Sequence, residues 1–264
     1  MDFTISIPIF LGWAGGLFIN YIADVLPYTR TLTQPTCPHC QTPFSWADYL
    51  TLRGCRSCGQ RRFIRTWLVQ ILTVASFAYL WLFPSKALGL PLGMIVLIYF
   101  GIITVIDLEH RLILHSTSIA GAVIALVAGV YLNSRLHEDN ILLGIGYSLL
   151  GGLFGFGIMF LGYQVGVRVS RYRARKLQAA GKVDDEEEAL GGGDVFLLGV
   201  LGLMVGWPII WDTFLLGVVL GGVVSILFLL LLIIRRKYSR ETLMMTFIPY
   251  GPFLIASAFF KLFL

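Results

Sequence analysis

Apolar runs about as long as a membrane is thick alternate with short polar segments along nearly the whole chain. They fall near residues 5–26, 67–83, 90–106, 118–132, 141–167, 195–210, 213–234 and 244–264. A hydrocarbon core of roughly 30 Å is crossed by about 20 apolar residues, or somewhat fewer where neighbouring helices thin the layer. The pattern therefore predicts an all-α, polytopic bundle of about eight membrane helices. The first run lacks a basic leading region, and no small-residue cleavage site follows it before Pro27, so it reads as a retained span rather than a signal peptide.

The polar segments set the expected orientation. Of the 20 Lys and Arg, all but Lys86, Arg135 and Lys261 fall in four alternate loops, after spans one, three, five and seven. The positive-inside rule puts those loops in the cytoplasm and both termini outside. The formal net charge of +5 is thereby a topology signal beside anionic headgroups, not a nucleic-acid footprint. Composition agrees: 57% of the residues are hydrophobic and 13% charged, about half the charged share of a soluble domain.

Two polar segments stand out. The insert at 27–65 is too short to build a useful hydrophobic core. The segment at 168–190 runs from a basic stretch to the acidic 184–188 and reads as a solvated, charged loop. The chain thus divides into a first span (1–26), a cytoplasmic insert (27–65) and a membrane core of about seven spans (66–264). No long internal repeat is present.

All four cysteines lie in the insert, as Cys37-Pro-His-Cys40 and Cys55-Arg-Ser-Cys58. Two such knuckles offer four thiolates to one tetrahedral Zn²⁺, whose binding supplies folding free energy that burial cannot. Disulfides are the alternative, and the expected cytoplasmic location opposes them. His39 lies between the first pair and is read as part of the turn. Four thiolates leave no position for water, so the metal is expected to be structural.

Acidic residues at the edges of apolar runs are costly and point to function. Asp107 ends the run of span three and Asp194 opens span six, both at the expected cytoplasmic side. Two carboxylates sharing a proton can act as acid and base and activate water against a peptide bond. Gly191, Gly192 and Gly193 precede Asp194 and would let backbone approach such a pair closely. Taken singly, Asp194 could serve a helix N-terminus and Asp107 could pair with Arg111. Asp24 is read as an interface position, and Glu109, His110 and His115 as solvated surface.

With these motifs in order, the chain resembles the type IV prepilin peptidases, the GxGD aspartyl proteases of pilus, competence and type II secretion systems. The markers are Gly15 to Asn20, the Cys37–Cys40 knuckle, Trp46 to Cys58, Ile106 to His110, Gly191 to Asp194, and Pro249 to Phe253. The resemblance implies an aspartyl endopeptidase with Asp107 and Asp194 as its catalytic pair. It also implies a prepilin or pseudopilin substrate cut after its leader glycine on the cytoplasmic face of the bacterial inner membrane. Many members then methylate the new N-terminus with S-adenosylmethionine, while zinc holds the insert.

The chain departs from that pattern at four places. Phe196 stands where the family usually has lysine, Gln70 where it often has an acid, His115 where it tends to have aspartate, and Asp24 near a position often basic. These bear more on methylation than on cleavage, and methyltransferase activity stays open. Two other classes compete: a non-catalytic relative acting as an assembly subunit or scaffold, and a proton-relaying transporter. Against the transporter, both aspartates lie near one face rather than at midplane. The particular pilin and the oligomeric state are not legible in the sequence.

Overall fold

A computed structural model describes residues 5–179, 191–234 and 249–264. The described elements are α1 (Ser6–Thr29), α2 (Trp46–Leu50), α3 (Ile64–Leu82), α4 (Gly89–His110), α5 (His115–Leu136), α6 (Ile141–Ala179), α7 (Gly192–Val205), α8 (Ile209–Ile234) and α9 (Gly251–Phe263). The all-α class holds among the described residues, with one isolated bridge, Thr36 to Pro43, outside the helices. Two compact units divide the chain after Arg111.

Six of these helices, α1, α3, α4, α5, α6 and α8, are long and apolar enough to cross a membrane. The chain is a multi-pass membrane protein. The predicted sixth and eighth spans are shorter, α7 with 14 residues and α9 with 13, or about 20 Å of helix each. The sixth prediction ran through to 210, but α7 stops at Val205 because Gly206 takes φ +76° and Pro208 follows. Glycine in the left-handed region ends a helix and proline cannot continue one. The predicted start of the eighth span at 244 lies outside the described residues.

The charged loop expected from 168 needs a correction over its basic half. Helix α6 continues for 39 residues, to Ala179, a length of about 58 Å. A helix that long outruns the hydrocarbon core, so its arginine-bearing end extends beyond it. Lys, Arg, Glu and Gln are good helix formers, and a basic helix end is favoured by the dipole. The acidic stretch at 184–188 and the basic residues at 235–240 lie outside the described residues.

In the first unit α1 packs on α3 and α4. Gly12 and Gly16 let α3 come close, so a Cβ at Gly12 would lie 2.8 Å from the Val74 Cα. Polar groups bridge the same contact: Asn20 Nδ2 donates to the Thr66 carbonyl at 3.2 Å, and Gln70 Nε2 to the Trp13 carbonyl at 2.6 Å. Both side chains are buried. Small residues and interhelical hydrogen bonds are how helices associate in lipid, where apolar burial drives little. Gln70 is thus a structural tie between α1 and α3.

The second unit uses small residues more heavily. Helix α7 is embedded against α5 and α6, where a Cβ at Gly129 would run into the Leu203 carbonyl, at Gly151 into Gly202, and at Gly155 into Leu198. Backbone-to-backbone packing of this kind has no room to repack. Gly129→Ala is expected to destabilise the protein by about 1–3 kcal/mol. Gly157→Ala, where nothing lies within 4 Å, is expected to be neutral or slightly stabilising. Unfolding of both variants in detergent, side by side, tests the difference.

Candidate functional site

The insert folds as two matching turns. Cys37 N–H donates to the Thr42 carbonyl and Gln41 N–H to the Cys37 carbonyl; Cys55 N–H donates to Gln60 and Gly59 N–H to Cys55, all at 2.8–2.9 Å. Each turn curls a C-x2-C pair around a common point. The four sulfurs lie within 4.8 Å of one another, with Cys37 and Cys58 at 3.7 Å and Cys40 and Cys55 at 3.5 Å. Four thiolates at Zn–S bond length on a tetrahedron sit about 3.8 Å apart, so the donor set fits a tetrahedral ion. The same distances are far too long for S–S bonds, and all four cysteines are free. His39 is exposed and stands outside the cluster.

The electrostatics of the cluster point the same way. The Cys58 backbone amide, then the Thr42 hydroxyl, hold the Cys55 thiol down to about 5. At Cys58 the Gln60 amide lowers the thiol, but desolvation and the neighbouring sulfurs Cys40, Cys55 and Cys37 outweigh it and push it up to about 12. Four thiolates cannot crowd together without a cation among them. A divalent metal relieves that repulsion and takes all four as ligands.

Around the cysteines the insert has a small core of Cys37, Phe44, Tyr49 and Cys55, against which Tyr21 and Cys40 pack. It is tied to α1 by charge. Tyr49 Oη donates to Asp24 Oδ2 at 2.6 Å, and burial, then the Asp24 charge, push the Tyr49 hydroxyl well above its usual range. Arg65 bridges Asp24 and Glu109, reaching Glu109 Oε2 at 3.0 Å. Arg62 Nη1 lies 3.7 Å from Asp24 Oδ2. Asp24 is therefore an ion-pair hub, which adds to its reading as an interface position, and Glu109, exposed as expected, shares Arg65 with it. His110 packs edge-on against Tyr28, with ring centroids 5.2 Å apart. Partners 41 and 44 residues apart in the chain leave no local spacing to read.

The two aspartates occupy helix ends in different units. Asp107 is buried in the last turn of α4. Its carbonyl accepts the Arg111 N–H at 2.9 Å, and Arg111 caps the helix in the left-handed conformation, φ 53°. Asp194 is the third residue of α7, and its N–H donates to the Gly191 carbonyl at 3.1 Å. The Asp194 carboxylate is near enough to Tyr250 for its charge to act on that hydroxyl. Of the three glycines, Gly193 is the one that needs its missing side chain. A Cβ there would lie 2.7 Å from the Ile113 Cβ, whereas Gly192 has open space around it and a Cβ at Gly191 would be 3.8 Å from Asp194 Oδ2.

Two residues on from Asp194, Phe196 meets His115 edge-on at 5.1 Å and Phe156 at 5.8 Å. His115 is exposed, as a surface residue should be, and its ring also meets that of Phe196. Both line an apolar cavity of about 420 Å³ between α5, α6 and α7, with Ile119, Leu153 and Leu203 among its walls.

The sequence model of the type IV leader peptidase family matches residues 92–226, and that of the bacterial peptidase A24 N-terminal domain matches residues 10–83. Among curated proteins, the chain is 27% identical over 234 residues to a prepilin leader peptidase/N-methyltransferase of Myxococcus xanthus, covering 83% of this chain and 62% of the relative. It is 27% identical over 248 residues to the protein of the same name from Aeromonas hydrophila, covering 90% and 74%. A third, from Klebsiella pneumoniae, is 27% identical over 220 residues, covering 78% and 86%. The chain therefore spans less than two thirds of the first of these relatives and more of the others. No solved structure matches it.

Proposed function

This chain belongs to the type IV leader peptidase family, and on that basis we propose that it is a membrane-embedded aspartyl endopeptidase that removes leader peptides from prepilin-like precursors. The observation that carries the proposal is the pair of acids: Asp107 buried at the end of one apolar helix and Asp194 in the first turn of another. Both fall within the matched region, and both stand where a charge is expensive unless it is used.

In the proposed reaction the two carboxylates share one proton. The ionised one takes a proton from water as the water attacks the scissile carbonyl. The protonated one donates to the carbonyl oxygen, then gives its proton to the departing amine. The acid and base roles belong to the pair rather than to either residue alone. Close approach of Gly193 to Ile113 supports a tightly packed floor beside Asp194. The apolar cavity at Phe196 suits the hydrophobic stretch of a pilin-like substrate.

Zn²⁺ is the metal we assign to Cys37, Cys40, Cys55 and Cys58, as a structural ion that takes no part in cleavage. The loop charges support a cytoplasmic insert, and the apolar helices together with the family support the bacterial inner membrane. S-adenosylmethionine supplies a methyl group where the N-methyltransferase activity is retained; the chain keeps the cysteine insert but has Gln70 engaged as a tie between helices.

Co-expression with prepilins of its own genome tests the reading. The expected result is a product cut after the leader glycine, and its mass reports whether a methyl group has been added. Authentic prepilins left intact would replace the peptidase with the scaffold reading, which the departures at Phe196 and Gln70 favour.

A further inference from the structure

A second cavity, of about 820 Å³, lies wholly in the first unit, where the insert meets the ends of α1 and α4 and the start of α3. Its charged lining is Asp24, Glu109, Arg61, Arg62 and Arg65. Arg65 is used up by its two carboxylates. Arg62 is not.

The Arg62 side chain is only 9% exposed, and its guanidinium carbon lies 4.2 Å from the ring centres of both Phe44 and Tyr49. Stacking on two aromatic faces holds the guanidinium plane in one orientation. Its Nη1 faces Asp24 Oδ2 at 3.7 Å, an ion pair without a hydrogen bond. Its Nε and Nη2 are buried and meet no acceptor among the described residues. Those two N–H groups form the edge that binds a planar or tetrahedral oxyanion through two parallel hydrogen bonds. A buried charged donor left unpaired is costly, so this edge implies a ligand.

The surroundings narrow its chemistry. Arg61 is exposed at the rim and adds a second cation. Tyr28 and Phe63, also in the lining, are 72% and 54% exposed, and α3 continues with exposed Ile64 and Trp67. A cationic cavity ringed by exposed aromatics where a spanning helix begins is at headgroup level. We propose that this cavity binds a phosphate group, with the Nε–Nη2 edge of Arg62 as its bidentate donor and Arg61 as its second cation. The phosphate comes from an anionic lipid headgroup or from free phosphate. Neither Asp107 nor Asp194 lines this cavity.

The test uses the full chain, delipidated in maltoside micelles, which carry no phosphate. Thermal unfolding is followed while inorganic phosphate, phosphatidylglycerol or sodium chloride at matched ionic strength is added. The expected result is a saturable rise in midpoint of about 2–4 °C with at least one phosphate probe and none with chloride. A response to phosphatidylglycerol alone assigns the headgroup; a response to inorganic phosphate assigns the free ion. Arg62→Gln is expected to abolish the rise. Arg62→Lys, which keeps the charge over the rings but lacks the fork, is expected to need about tenfold more ligand and carries the test if the glutamine variant fails to fold. Arg53→Gln, on the exposed insert surface, should respond like the native chain. No rise with either probe, an equal rise with chloride, or an unchanged response of Arg62→Lys overturns the proposal.

Discussion

Asp107→Asn and Asp194→Asn are each expected to lower cleavage of a co-expressed prepilin by at least about a thousandfold, with the double variant no worse than either single one. Asparagine keeps the size and one acceptor of the carboxylate but can neither take nor give the shared proton. Losing either member therefore stops both halves of the proton relay, and a second loss has nothing left to remove. That non-additivity separates a catalytic pair from two independent structural acids, whose effects would multiply. Stability should hardly move: the charge of Asp194 at the start of α7 is worth about 0.3–1 kcal/mol. Quantified product over time, normalised to the amount of membrane-inserted enzyme, reads the effect. Either single variant retaining a tenth of native cleavage would sink the assignment.

The sequence already carried what repeats locally. Apolar runs gave the helices, and the C-x2-C pairs gave the cluster that the structure gathers within 4.8 Å. Asp107 and Asp194 were visible because charges are conspicuous in apolar surroundings. Helix ends were less legible where packing decides them. The apolar run continues across 206–210 as Gly-Trp-Pro-Ile-Ile, and only the Gly206 conformation and Pro208 mark the break. Position 196 read as a departure, but its aromatic contacts with His115 and Phe156 depend on three separate segments. Long-range charge pairing was least legible of all. Asp24, Tyr49, Arg62, Arg65 and Glu109 come from four separate stretches, and nothing in the spacing of any one predicts the others. The signal that could have flagged them was a count: Asp24 is the one acid in the first 47 residues after Asp2, and it stands at the end of a span opposite a loop full of arginines.

Removing the metal is expected to undo the insert while leaving the membrane helices folded. Between Thr29 and Ile64 the described secondary structure is the five-residue α2 and one isolated bridge. Its core is four side chains, two of them the ligands Cys37 and Cys55. So little burial cannot offset the ordering of a segment this long, whereas a structural zinc site contributes about 10–16 kcal/mol of binding free energy in peptides at neutral pH. Native protein should therefore carry one equivalent of zinc by elemental analysis. A strong chelator should release it and open the insert to trypsin at Arg53, Arg56 and Arg61, with the helical circular dichroism of the spans nearly unchanged. Cys37→Ser with Cys55→Ser should give the same digestion pattern without chelator. Asp24 on α1 should also lose two of its side-chain partners, because Tyr49 and Arg62 hold it only while the insert is folded. Metal-free protein whose insert resists trypsin equally well would show that the four thiols are not the staple, and two disulfides found by mass in freshly prepared protein would assign that role to oxidation instead.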